Sequence, residues 1–108
     1  MDLNHYQQAA RSTAIYSERH RVIYPALGLA SEAGEVAGKL KKVLRDQDGD
    51  FASAPLDTIK DELGDVLWYV AVLAGDLGLS LEEIALENLD KLASRRARGR
   101  LSGGGDRR

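Results

Sequence analysis

At 108 residues, with 44% hydrophobic and 30% charged side chains, the chain has the composition of one small globular domain and not of a disordered segment. A formal net charge of −2 supplies no basic field to recruit nucleic acid, and the absence of cysteine excludes disulfides, thiolate metal sites and cysteine nucleophiles. There is no signal-like N-terminus and no apolar run of membrane-spanning length, so a cytoplasmic protein without membrane attachment is expected.

Asp2 is placed to cap a first helix running from Leu3 to about His20. Its stripe of Leu3, Tyr6, Ala10, Ala14 and Ser17 is weak, and Arg11, Thr13, Tyr16 and His20 give it a polar, aromatic flank. Pro25 suits the first position of a second helix reaching about Leu44. Gly28, Gly34 and Gly38 lie inside it, each costing roughly 1 kcal/mol of helix propensity, which points to close approach of another helix or room for a ligand. Arg45 to Ala54 reads as a loop. Its Asp46–Asp50 run has a misplaced glycine and no closing glutamate, so it is not a calcium loop.

Pro55 opens a third helix ending near Leu77. This helix is apolar nearly all round, with Trp68 and Val72 opposite its main stripe, and a second apolar side calls for dimerisation through it. Gly75 and Gly78 end it, and Ser80-Leu81-Glu82-Glu83 is a capping-box pattern opening a fourth helix that turns Leu81, Ile84, Ala85, Leu89 and Leu92 inward. No strand is expected. The fold class is therefore all-α, a four-helix bundle-like domain over residues 1–97, followed by a Gly/Arg-rich tail over 98–108 that holds no fixed shape unaided.

One stretch is doubled. Ser31-Glu32-Ala33-Gly34-Glu35-Val36 recurs thirty positions later as Asp61-Glu62-Leu63-Gly64-Asp65-Val66. Positions three apart share one side of a helix, so each copy sets a carboxylate pair beside an apolar stripe. The stripes are Leu29, Ala33, Val36, Leu40 and Val43 in the second helix, and Ile59, Leu63, Val66, Val70 and Leu73 in the third. Packing stripe on stripe brings Glu32, Glu35, Glu62 and Asp65 together. Four carboxylates in a partly buried site need cations, and oxygen donors suit a hard divalent ion, Mg²⁺ or Mn²⁺.

Other residues carry two readings each. Asn88 falls in the apolar stripe of the fourth helix, where it either bonds neighbouring backbone or orients a phosphate or base, with Lys91 and Arg95 one and two turns on to take phosphate charge. Tyr69, one turn after Asp65, is a core residue or part of the site; Trp68 is core or interface. Tyr16 and His20 are candidates to stack on a base. Lys39 is placed to pair with Glu35 at i,i+4 spacing. Neither histidine forms a helical Glu-x-x-His pair, which argues against a di-iron bundle.

Glu32-x-x-Glu35, twenty-six residues, then Glu62-x-x-Asp65 resembles the signature of the all-α nucleoside triphosphate pyrophosphohydrolases. The wording around both motifs, Leu27-Gly-Leu-Ala-Ser-Glu-Ala-Gly-Glu-Val and Asp61-Glu-Leu-Gly-Asp-Val-Leu-Trp-Tyr, resembles the MazG-like branch, as does the ending Asn88-x-x-Lys91-Leu92, Arg98-Gly99 and Gly104-Gly105-Asp106-x-Arg108. The resemblance implies Mg²⁺-dependent hydrolysis of a (deoxy)nucleoside triphosphate to the monophosphate and pyrophosphate. It implies that Glu32, Glu35, Glu62 and Asp65 hold the metal; that Glu35 or Glu62 also acts in the catalytic step is a reading of the ligand set itself. Tyr69 would line the nucleotide pocket and Asn88 and Lys91 bind substrate; Arg95 and Tyr16 join that set on the residue reading. Relatives form homodimers or dimer-based tetramers.

Two alternatives stand beside this. One is an enzyme of the same fold acting on dUTP or phosphoribosyl-ATP. The other is a non-catalytic helical dimer that binds a protein or RNA partner through its basic tail.

Overall fold

A computed structural model describes all 108 residues, and they form four α-helices and no strand. The helices are α1 (Leu3–Ser12), α2 (Ile23–Gln47), α3 (Leu56–Asp76) and α4 (Leu81–Ala97). Single 3-10 turns at Glu18–His20 and Phe51–Ser53 lie in the two longer connections. No single helix is long and apolar enough to cross a membrane.

α2 and α3 form the frame, an antiparallel pair packed along most of its length, with Val43 and Ile59 buried in the seam. α1 lies on α3, and the core there comprises Ala10, Ala71, Val72 and Leu81 with Trp68, Tyr69 and Tyr6 around it. The far side of α3 is thus covered by α1 at Ala71 and Val72, while Leu63 and Leu67 stay open to solvent. Gln7 fastens α1 to the end of α3: its amide nitrogen donates to Ala71 O (3.1 Å) and Leu79 O (3.0 Å), and its oxygen accepts from Leu81 N (3.0 Å).

The first helix is shorter than its sequence suggests. It ends at Ser12 instead of His20, with Asp2 capping it through His5 N at 2.8 Å. The cause is tertiary. Arg11, Tyr16 and the Val22 amide all bond to Asp76, and a continuing helix would carry Tyr16 and Val22 away from it. α2 begins two residues before Pro25, which has no amide hydrogen to lose in a first turn. It also runs three residues beyond Leu44, ending where Asp48 and Gly49 adopt positive φ and Gly49 N reaches Val43 O at 3.1 Å. Pro55 precedes α3 instead of opening it. Ser80 caps α4 as expected, accepting from Glu83 N at 3.2 Å.

α4 departs most from expectation. It leaves α3 at 104°, and its side-chain hydrogen bonds with α1 fall at its start, from Asn4 to Glu82 and from the Leu81 amide to Gln7. Of its five inward residues, Leu81 alone is buried; Ile84, Leu89 and Leu92 are 38%, 62% and 39% exposed. The radius of gyration, 16.8 Å, is well above the ~13 Å of a compact chain of about this length. The tail is not free. Asp106 pairs with Lys91 Nζ (2.8 Å) and with the buried Arg95 guanidinium, and Arg98 Nη2 donates to Arg108 O (2.9 Å), so α4 supplies the support that the tail lacks alone.

Candidate active site

The doubled motif converges in space. Carboxylate oxygens of Glu32 on α2 and of Glu62 and Asp65 on α3 all lie within 4.8 Å of one another. Helical spacing puts Glu62 and Asp65 on one side of α3, and the packing of α2 on α3 brings Glu32 opposite. Glu35 does not join them. It is exposed, one turn along α2, and the expected four-acid cluster is a cluster of three with a fourth acid beside it. Lys39 is also placed differently. Its Nζ lies 4.0 Å from Glu62 across the helix pair, because the seam turns it toward α3 and not along α2 to Glu35.

Three acids so close cannot all ionise. The Glu32 pKa is pushed up to about 7, first by a hydrogen bond shared with Glu62, then by burial, then by the charges of Glu62, Asp65 and Glu35. Lys39, the one cation in reach, does not balance them. The donor set is all carboxylate oxygen, half-buried at Glu32 and Glu62 and open at Asp65, and it fits a hard divalent cation. Gly34 and Gly64, at the centre of each motif, are exposed, and a side chain begun at either would meet nothing within 4 Å outside its own helix.

An aromatic wall stands next to the cluster. Burial pushes the Tyr69 hydroxyl pKa up, followed by the Tyr24 hydroxyl and the charges of Glu32 and Asp65. Tyr69 packs so tightly on α2 that a Cβ at Gly28 would lie 2.2 Å from its Cε1, which is why that position carries no side chain. Trp68 meets the Tyr69 ring edge-on at 5.0 Å and donates to Thr13 Oγ1 at 2.8 Å, fixing it as core. Tyr16 stacks on Tyr24 at 4.9 Å, and Tyr24 lies 6.4 Å from Tyr69. His20 is exposed and takes no part in these stacks.

The residues expected on the fourth helix are elsewhere. Asn88 is exposed and not set in an apolar stripe, because α4 swings away from the bundle. With Lys91 and Arg98 it lines an open cleft of about 540 Å³ closed by tail residues Asp106 to Arg108, and none of the acids borders it. Lys91 and Arg95 both face Asp106. Within one chain, then, Tyr69 and Tyr16 lie on the acid side and Asn88, Lys91 and Arg95 do not.

Asp76, Val22 and Tyr24 are unremarked in the sequence, yet they shape the aromatic wall. Val22 has φ +68° and ψ −58°, and Ile23 N donates to Arg21 O at 2.7 Å. This is a γ-turn of the strained, positive-φ kind, at a β-branched residue, and costs about 1–3 kcal/mol. A carboxylate in the last turn of a helix opposes the macrodipole, and that was the available signal for Asp76.

Comparison with known proteins agrees with this geometry. Residues 25–99 match the MazG nucleotide pyrophosphohydrolase domain, a span that takes in both acid pairs and all of α4. The chain belongs to the MazG nucleotide pyrophosphohydrolase family. It is also similar over its full length to the Gene 37 protein of Mycobacterium phage L5, at 45% identity over 114 residues that cover all of both chains. No solved structure matches.

Proposed function

We propose that the protein hydrolyses a (deoxy)nucleoside triphosphate between its α and β phosphates, releasing a nucleoside monophosphate and pyrophosphate. One observation carries the reading: oxygens of Glu32, Glu62 and Asp65 lie within 4.8 Å in a protein of this family, with too little positive charge nearby to balance them. Glu32, Glu62 and Asp65 would hold Mg²⁺, or Mn²⁺, with Glu35 one turn further along α2. The metal would supply positive charge for the triphosphate and acidify water at neutral pH. Glu35, exposed and outside the trio, is the carboxylate we assign to receive the proton of the attacking water, with Glu62 essential as a ligand. Tyr69, with Tyr24 and Tyr16 behind it, would flank the base.

The open α4 face and the large radius of gyration support a homodimer or dimer-based tetramer as the working form. Asn88, Lys91 and Arg95 border none of Glu32, Glu35, Glu62 and Asp65 in their own chain, so a phosphate-binding role for them requires such an assembly. Light scattering tests the oligomer. The chemistry is tested by pyrophosphate release from canonical and modified nucleoside triphosphates, dUTP and phosphoribosyl-ATP included, with Mg²⁺ and with chelator. Release that needs Mg²⁺ and disappears in Glu62→Gln supports the reading. A folded protein that releases none from any substrate overturns it and favours a binding role for the helical surface.

A further inference from the structure

Asp76 is the most completely satisfied charge in the molecule. Its side chain has no solvent exposure. Tyr16 Oη donates to Oδ2 at 2.7 Å, and the Val22 amide donates to the same oxygen at 3.0 Å. Arg11 Nη1 donates to Oδ1 at 2.8 Å, and Arg21 Nε lies 3.4 Å from it. The donors come from α1, the connection after it and the residue that opens α2, whereas Asp76 ends α3. One carboxylate therefore ties three segments together at the edge of the aromatic wall.

Two of its partners lead toward the acids. Val22 sits in the strained γ-turn that sets where α2 begins, and Tyr24 lies two residues on. Tyr16 stacks on Tyr24, whose ring lies beside Tyr69, which in turn feels the charges of Glu32 and Asp65. A valine keeps positive φ only when its surroundings over-determine it. Here the Val22 amide is held by Asp76, beside the turn's own bond from Ile23 N to Arg21 O.

We infer that Asp76 is a positioning residue for nucleotide binding: by holding the Val22 turn and the Tyr16 hydroxyl it fixes the Tyr16–Tyr24 stack against Tyr69, and so the wall that receives the base. The inference rests on the pyrophosphohydrolase reading for its substrate, but the mechanical part stands on the hydrogen bonds alone. Asp76 touches neither the acids nor a phosphate, so removing its charge acts on base recognition and leaves phosphate chemistry in place.

The test uses the full chain with Mg²⁺ and compares a preferred nucleoside triphosphate with inorganic tripolyphosphate, which has no base. In Asp76→Asn the nucleotide KM rises about tenfold, the scale of one lost base–aromatic stack, with kcat and tripolyphosphate cleavage little changed. Adding Val22→Gly, which takes positive φ without strain, returns KM toward the parent value. Hydrogen exchange by mass spectrometry reads the same device without activity: Asp76→Asn speeds exchange across residues 13–24 but not around Glu32 or Glu62, and Val22→Gly in that background restores protection. If Asp76→Asn does not fold, Tyr16→Phe decides, since it keeps the ring and removes one donor; a raised nucleotide KM is then expected. Equal losses on both substrates, or no change in exchange at 13–24, overturn the inference. A parent protein that cleaves no nucleotide sinks the proposed function, while the exchange comparison still decides whether Asp76 holds the turn.

Discussion

The molecule has two carboxylate centres, and they are built in opposite ways. At the α2–α3 seam, three acids face one another with a single lysine 4.0 Å from Glu62. At the end of α3, one acid is surrounded by a hydroxyl, an amide and two guanidiniums. The first centre is short of positive charge, and its Glu32 is pushed up to about 7. At the second, burial pushes Asp76 up, but the Val22 amide, the Tyr16 hydroxyl and then the two arginines outweigh it and hold the carboxyl below its ordinary range. A site that satisfies itself serves architecture. A site left unbalanced is suited to something from solution.

Breaking each centre separates them. Glu62→Gln removes a donor from the unbalanced centre and is expected to lower Mg²⁺-dependent pyrophosphate release at least about a hundredfold, the upper scale for damage to a metal site's surroundings. Circular dichroism should show its fold intact. Asp76→Ala does the reverse. It orphans the Val22 amide and the Tyr16 hydroxyl, costing about 1–3 kcal/mol of stability by urea titration. The same substitution at Glu32 relieves repulsion, so metal-free Glu32→Ala should melt no lower than the parent at pH 8.

Acidity sharpens the contrast because the two signs differ. Glu32 holds a proton in the folded state up to about 7, against an ordinary 4.5, so the metal-free protein loses stability as pH rises from about 4.5 through 7. Saturating Mg²⁺ should flatten that slope, and Mg²⁺ affinity should climb across the same window as the proton is displaced. Asp76 works the other way. Its stability is present above the ordinary aspartate range and is lost only as pH falls through its depressed pKa. Thermal melts from pH 3 to 8 with and without Mg²⁺ check both slopes. The smallest effect is expected from Lys39→Gln, since a partly exposed pair at 4.0 Å contributes about 0–1 kcal/mol.

What the sequence disclosed follows from the same division. Glu32, Glu62 and Asp65 were legible because their neighbours repeat, and a repeat in phase with two apolar stripes says which faces meet. The all-α class, the Ser80 cap and the Asp2 cap rest on local rules and are as expected. The end of α1 was not legible, because the partner that stops it at Ser12 is Asp76, more than sixty residues away. Nor was the setting of α4: its leucines are spaced as if for a core, and spacing alone does not reveal that the helix turns off at 104° and leaves Ile84, Leu89 and Leu92 exposed. Asn88 was misplaced for that reason, and Lys39 because a seam between helices outranks an i,i+4 neighbour.

The fastening of α1 has a consequence for how the chain is made. Gln7 bonds to Ala71, Leu79 and Leu81, Arg11 and Tyr16 to Asp76, and Thr13 to Trp68. The partners that hold the first helix and the residues just after it to the body lie 55 to 78 residues further along the chain. As the polypeptide emerges from the ribosome, the α2–α3 hairpin closes on nearby sequence, whereas α1 waits in the open until the α3–α4 corner appears. On this account α1, although it precedes the hairpin in the chain, docks after it.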